Sequence, residues 1–431
     1  MSTPSPAPIR LDQSRITTLE VPFRFLTWVF GGGVKHNPNT TDSMEPMRPF
    51  DPVTPVRSSG VRGQLRFWWR ATTGARLGSL GELKRREAEV WGGIWGGEPT
   101  HGKVGLTVEK TGGDNPTPVP TFQWGRSNFP RPTNKADGIA YGAFPMRPQG
   151  NIGDGEEDVR SVLWDHGDLR YRLLLTVPPE LNQEIRLAVS AWLAFGGYGA
   201  RLTRGFGAVA LDENATQTGL QDDPDAVLES IRRLEPPRLK GVPAIDANPE
   251  RFQRARARST PIEGWKAAIQ NLQQFRQGLN LGRNKPGPNA RHGVPAGRSR
   301  WPEPDELRRV TRRSDPDHRQ PVNQGGAFPR ADFGLPIIFH FNSNQDPPEQ
   351  TLQIDRTTDR LPSPVILNVT RGGEPIALWL RNADAPEELH LKGADTSVRK
   401  TVSEKRLQEL APHHQKLIDP SPVAAFLKHF S

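Results

Sequence analysis

Arg62, Arg66 and Arg70 recur at four-residue spacing in the stretch RSSGVRGQLRFWWRATTG, which runs from Arg57 to Gly74. On a helix this spacing stacks the three side chains along one side. Unpaired, such a row repels itself, and negative charge is needed to offset the repulsion. That charge can come from RNA or another phosphate ligand, or from acidic side chains. Val61, Leu65, Trp68, Thr72 and Ala75 fall on the neighbouring side with Trp69 at its edge, and are expected to anchor the helix. Ser58 or Ser59 is placed to cap a helix that opens near Gly60, and Gly74 to stop it.

A second cationic feature is GGYGARLTRGFGAVAL, residues 196–211, in which Gly196, Gly197, Gly199, Gly205 and Gly207 surround Arg201 and Arg204. Amides freed by glycine and flanked by arginine can hold a phosphodiester backbone without reading bases. The alternative is a tight helix-to-strand turn in which glycine supplies positive φ. A triple glycine, Gly31, Gly32 and Gly33, permits close approach of a ligand backbone and is followed by Lys35 and His36. It has neither the Walker lysine-serine pair nor the dinucleotide glycine spacing.

No catalytic set emerges. The chain has no cysteine and 10 histidines, which excludes disulfides, thiolate metal sites and cysteine nucleophiles. His413 and His414 are adjacent and would not point at one metal from a helix. Asp165-His166-Gly167-Asp168 precedes a strand and reads as a turn. His36 is the one candidate acid or base for RNA cleavage, and it has no visible partner. No catalytic residue, metal site or cofactor is expected.

The 431 residues suggest two domains or three small ones. With 42 glycines and 43 prolines, much of the chain must be loop. The net charge is +9, and the pI is near 10.0, which favours an anionic partner. From Arg251 to Arg319 there are 16 basic and 6 acidic residues, so this stretch accounts for the net charge. Its densest part, Gly278 to Pro302, is too rich in glycine and proline to fold by itself and is either the kind of segment that orders on a polyanion or a soluble surface loop. No run reaches the length of a membrane span and the N-terminus lacks a signal-peptide core, so a cytoplasmic location without membrane contact is expected.

The positioning elements follow from periodicity. Strands are expected over residues 16–30, 103–110, 169–177, 208–211, 335–341, 362–369 and 375–380, and helices over 80–91, 181–195, 225–234 and 261–277, with weaker ones over 400–413 and 422–430. Pro22 marks an edge or a bulge in the first strand. Residues 111–165 read as a long loop in which aromatic and basic residues alternate. They either hold a single strand of nucleic acid or pin the loop to the body.

The opening strand with FGGG, followed by RSSGVRGQLRFWWRATTG, resembles the signature of the first subunit of the Cmr-type, or type III-B, CRISPR RNA-guided effector. That family lies within the repeat-associated RNA-binding (RAMP) superfamily. RLTRGFGAV at 201–209 is similar to the superfamily's glycine-rich loop. GLPIIFHF at 334–341 and DRLPSPVILNV at 359–369 resemble its C-terminal strand motifs, while the inserts at 111–165 and 278–330 carry none. The resemblance implies an α+β protein of two ferredoxin-like (RRM-like) domains with long loop insertions, here residues 1–240 and 241–431. It implies an RNA-binding subunit of an antiviral ribonucleoprotein that cuts nothing itself. Its partners would be guide CRISPR RNA, bound at its 3′ region, target RNA and the other effector subunits. The implied RNA-binding positions are Gly31, Gly32, Gly33, Lys35, His36, Arg57, Arg62, Arg66, Arg70, Arg201, Arg204, Gly205 and Gly207. A metal-independent guide-processing ribonuclease and an assembly subunit whose arginines face protein remain as alternatives.

Overall fold

The computed structural model describes residues 17–31, 54–125, 130–147, 162–213, 219–286, 297–381 and 384–430. Its first half is laid out as β1 (Thr17–Phe25), α1 (Ser58–Thr72), α2 (Leu80–Trp91), β2 (Gly105–Gly112), β3 (Arg170–Val177), α3 (Asn182–Phe195) and β4 (Val209–Leu211). The strands form one antiparallel sheet in the order β4-β1-β3-β2. This is the β-α-β-β-α-β connectivity of the split βαβ unit, with α2 added before β2.

Side-chain period explains the layers. In β1, Leu19, Val21, Phe23 and Phe25 alternate inward. Pro22 accepts from the Asp212 N–H through its carbonyl, so its ring nitrogen faces the side on which the short β4 has already ended. It therefore costs the sheet no ladder bond. In α1 the buried face is Val61, Leu65, Trp68, Trp69, Ala71 and Thr72, which the spacing predicts for all but Ala71. It lies over the sheet beside α3, whose Trp192 meets Phe23 edge-on at 5.2 Å. Trp69 and Trp192 are fully buried, and burial of side chains this large stabilises by roughly 3 kcal/mol each.

Capping sets the other helix ends. Ser79 accepts from the Glu82 N–H at the start of α2, and Glu82 reaches back to the Gly78 N–H. Asp223 caps α4 (Pro224–Arg232), which has proline in its first turn. α1 differs from the expected arrangement. Its N-cap is Arg57, no side chain caps it, and Ser58 instead accepts from the Val108 N–H, tying the helix to β2. Thr73 and a short 3-10 turn from Gly74 to Arg76 end it.

The second half has β5 (Phe252–Arg254), α5 (Pro261–Gln277), α6 (Glu303–Thr311), β6 (Ile337–Phe339), β7 (Gln350–Gln353), β8 (Val365–Val369), β9 (Pro375–Trp379), β10 (Glu388–Leu391), β11 (Thr396–Arg399) and α7 (Pro422–His429). One sheet runs β5-β9-β8 and a second runs β6-β7-β10-β11, both antiparallel. The mixed helix-and-sheet class is as expected, but the second ferredoxin-like unit is not closed. Among the described residues no fourth strand stands beside β5, and the chain between α5 and β8 builds the second sheet instead. The sequence reading did not expect α6, β7, β10 or β11.

The two halves share one core. Ile366, Ile376, Leu378 and Leu380 are buried in the cluster that contains α1 and α3. The chain around the 240/241 boundary runs along α1, with the Ile245 N–H donating to Ala71 and the Arg238 and Leu239 N–H groups to Ala75. The insert read as a loop is built in its described parts. Residues Thr117–Pro120 pair with Val162–Asp165. Val119, Phe122, Ile139 and Leu163 pack with Phe206, Trp265 and Ile269. Phe122 and these aliphatic side chains therefore pin the insert to the body.

Candidate nucleic-acid interface

The arginine row of α1 faces α2. Arg66 Nε and Arg70 Nη1 both donate to Oε1 of Glu87, each at 2.8 Å. The Glu87 side chain is only 10% exposed, whereas Arg66 and Arg70 are 35% and 37% exposed. Arg62 Nη1 donates to the carbonyls of Trp91 and Val104, each at 3.2 Å. Burial, and then repulsion from Arg66, lower the pKa of Arg62 below its ordinary value. The repulsion that the four-residue spacing creates is thus offset from within the chain, by one carboxylate and two carbonyls that belong to α2 or follow it. The outer nitrogens of Arg66 and Arg70 stay accessible.

The glycine-rich loop is a seam. The Gly207 φ is +64°, and a Cβ there would stand 2.0 Å from the Tyr198 carbonyl oxygen. Gly205, at φ +73°, abuts Trp265 and Leu367. Asn368 Nδ2 donates to Gly196 at 2.8 Å and the Leu367 N–H to Thr203 at 3.2 Å, so β8 holds the loop from the second half. Arg204 is buried. Its Nη1 donates to the Thr203 carbonyl (2.8 Å), to Ser363 Oγ (3.3 Å) and to the Val365 carbonyl (3.2 Å). Burial, helped by repulsion from Arg201 and Arg276, lowers its pKa to about 9. Arg201, at φ +61°, donates twice to the Gly142 carbonyl, at 2.9 and 2.7 Å. The glycines that were read as phosphate contacts also meet the demand of a close-packed turn. The loop's surface is confined to Gly199 through Thr203, with Ala200 the most open.

Three of the sequence features converge here. The Ala200 N–H donates to the Phe30 carbonyl (2.8 Å) and the Gly207 N–H to that of Trp28 (2.8 Å), which sets the loop against the chain leading into Gly31. Gly31 has φ +70°, and the position its Cβ would take is open space. The Tyr198 hydroxyl accepts from the Arg57 N–H at 3.1 Å, and its ring lies against Gly60. The start of α1, which has no acidic residue in its first turn and no side-chain cap, thus sits beside Gly31 and the loop tip. Uncapped helical N–H groups and the helix dipole favour an anion at such a place. Gly32, Gly33, Lys35 and His36 lie outside the described residues. Tyr198 was missed in the sequence, although an aromatic residue between two glycines was a usable signal.

Part of the basic stretch of the second half is answered by carboxylates of the same chain. Arg254 pairs with Asp223, Asp225 and Glu374. Arg298 and Arg308 both pair with Asp305, Arg308 also with Asp346, and Arg309 with Glu306. The pairs of Arg254 and the Arg308–Asp346 pair join residues distant in sequence, so a count of charges along the chain could not show them, whereas Arg308–Asp305 and Arg309–Glu306 lie one turn apart within α6.

Among the described residues no group of three or more histidines, aspartates or glutamates is placed to hold a metal. His166 sits in the expected turn, buried against Phe25 with ring centroids 4.7 Å apart. Burial lowers its pKa to about 3. No helix among the described residues is long and apolar enough to cross a membrane.

The family model described as the RAMP superfamily matches residues 23–210. That span runs from within β1 into β4 and contains both the arginine helix and the glycine-rich loop, which bears out the resemblance read from those motifs. None of the curated proteins matches the chain. Among solved structures, Cmr1 from Pyrococcus furiosus in its apo form is similar over 88% of this chain and 95% of its own, at 15% identity and a TM-score of 0.41. A chain of the type III-B Cmr-beta complex bound to cognate target RNA and AMPPnP, in the presence of ssDNA, is similar over 96% and 98%, at 10% identity and a TM-score of 0.43. A chain of a type IV-B CRISPR complex is similar over 47% and 92%, at 15% identity and a TM-score of 0.26. At these scores the structural likenesses carry no argument about function.

Proposed function

We propose that this chain, which matches the RAMP superfamily over residues 23–210, is an RNA-binding subunit of a type III-B CRISPR effector. In this reading it contacts the 3′ region of the guide RNA, helps seat the target RNA, and cuts neither. The observation that carries the reading is the convergence of the start of α1, Gly31 and the tip of the glycine-rich loop within the matched span. Their chemistry suits a phosphate backbone, with N–H groups at an uncapped helix start, Arg57 and Arg201 beside them, and open space over Gly31.

Binding through backbone and shape, with no base readout, is the form of recognition this surface supports. Arg66 and Arg70 add accessible charge along α1 while they hold α2. A guide-processing ribonuclease would need His36 or another loop histidine with a partner, and no observation favours it.

Crosslinking within the assembled complex tests the proposal. The chain is purified with its partners, irradiated, and the RNA joined to it is sequenced. Guide RNA joined to peptides around Tyr198–Arg201 and Arg57 is expected. Crosslinks confined to other subunits would leave this chain as an assembly component and overturn the reading.

A further inference from the structure

Arg276 lies in the last turn of α5. Its Nε is buried with no hydrogen-bond partner, and among the described residues it forms no ion pair. Its guanidinium lies 5.6 Å from the Phe333 ring, a contact that leaves the N–H donors unused.

Two more buried guanidiniums stand around it. Arg204 spends only Nη1 on the protein, so Nε and Nη2 have no acceptor among the described residues. Arg330 lies over Trp301 at 5.8 Å and Phe339 at 5.3 Å. It has one carboxylate, Glu303, 3.2 Å from Nε. Arg276 repels both Arg204 and Arg330, and Tyr141 lies within electrostatic reach of both. Arg201 adds a fourth positive charge beside Arg204. Four guanidiniums therefore meet one carboxylate in a largely buried setting, which is costly unless a further anion joins them.

Two tryptophans anchor the backbone that carries the cluster. Trp265 Nε1 donates to the Arg204 carbonyl at 2.8 Å, and Trp301 Nε1 donates to the Arg276 carbonyl at 3.0 Å. Trp265 and Trp301 are both fully buried. Beside Tyr141 a cavity of about 450 Å³ opens, lined also by Thr133, Asn134 and Gln273, with Asp137 the one acidic residue in its wall. Gln273 sits one helical turn before Arg276. Forked donors on a fixed frame match the oxygens of a phosphate group, which two guanidiniums can grip together.

We propose that Arg204, Arg276 and Arg330 form a subsite for one phosphodiester group of a bound RNA, at the seam between the two halves of the chain and next to the cavity at Tyr141 and Gln273. The subsite rests on the reading of the chain as RNA-binding. It is separate from the convergence at Arg57 and Gly31, because its donors come from α5, from the residues before β6 and from the buried side of the glycine-rich loop. It also accounts for the second half of the chain contributing to a function whose family match ends at residue 210.

The test is fluorescence anisotropy of a labelled, mixed-sequence single-stranded RNA on the full chain across a salt series, with wild type, Arg276→Gln and Arg276→Lys. Arg276→Gln is expected to weaken binding roughly three- to tenfold and to reduce the slope of log K against log salt by about one. Arg276→Lys should keep the wild-type slope with intermediate affinity. Thermal melts of the RNA-free proteins should show Arg276→Gln no less stable than wild type, and added inorganic phosphate should raise the melting temperature of wild type more than that of Arg276→Gln. Wild-type affinity and slope in Arg276→Gln would overturn the subsite while leaving the RNA-binding reading in place. If wild type itself binds no RNA, that reading falls and the subsite with it. Loss of poly-glutamate binding in Arg276→Gln without loss of RNA binding would assign the cluster to an acidic protein and overturn the proposal.

Discussion

The Tyr198 hydroxyl accepts a hydrogen bond from the backbone N–H of Arg57 at 3.1 Å. One bond thus joins the glycine-rich loop to the start of the arginine helix. The Tyr198 ring also explains Gly60. A Cβ at Gly60 would lie 2.7 Å from Tyr198 Cε2, so the glycine is kept in the first turn of α1 for close approach, although it is a poor helix former.

Gly60→Ala is expected to destabilise the protein by about 1–3 kcal/mol through overpacking, despite a gain of about 1 kcal/mol in helix propensity. Tyr198→Phe should cost about 1 kcal/mol by losing the hydrogen bond alone. Urea denaturation separates the two, and both variants should bind RNA more weakly than wild type. A Gly60→Ala protein as stable as wild type would show that the ring does not hold this position.

Glu87→Gln removes the carboxylate that Arg66 and Arg70 share. The variant is expected to lose about 1–2 kcal/mol, between the values for exposed and buried pairs. It should bind RNA more tightly at low salt, because two guanidiniums lose their internal counter-charge. Denaturation midpoints and anisotropy at two salt concentrations check this. Reversing all three arginines to glutamate is a poorer test, since the new carboxylates would face Glu87 at positions 66 and 70 and two carbonyls at position 62, and loosen α2 whatever their role in binding.

Two glycines should respond differently to alanine. Gly207→Ala combines φ +64° with a Cβ 2.0 Å from the Tyr198 carbonyl, and is expected to cost more than about 3 kcal/mol or to abolish folding. Gly31→Ala faces open space at φ +70°, so only the backbone term of about 1–2 kcal/mol applies. Soluble yield and melting temperature report the difference.

Stability should fall with acid. Burial holds His166 neutral with a pKa of about 3. Burial, with repulsion from His413 and Arg300, does the same for His414 at about 4. Both folded values lie below that of an unfolded histidine, so the unfolded chain takes up protons first. Their contribution is fully present above about pH 6.5 and is lost as the pH falls toward those folded values. The melting temperature should therefore drop between pH 7 and pH 5, and His166→Phe should flatten the drop. An unchanged pH profile in that variant would contradict the assignment.

Much of the first half was legible because its signals are local. The inward alternation of Leu19 to Phe25, the four-residue arginine spacing and the Trp68-Trp69 face give β1 and α1 directly. What was not legible depends on tertiary meetings. The carboxylate that answers Arg66 and Arg70 sits on α2, and the spacing of the arginines says only that some negative charge is needed. Arg204 reads as a phosphate contact in the sequence, and its burial is not legible there because it is decided by Ser363 and Val365, far along the chain. The other three strands of the second sheet, β7, β10 and β11, escaped notice because they are four residues long and polar-rich, too short for alternation to register.

The central claim, that this chain binds RNA through its phosphate backbone, is tested most directly by titrating the purified full chain with a single-stranded RNA carrying the CRISPR repeat sequence over a salt series. The account predicts binding whose log K falls linearly with log salt, with little change when the sequence is scrambled and the RNA recovered intact. No binding at low salt, or an affinity that does not respond to salt, would contradict it.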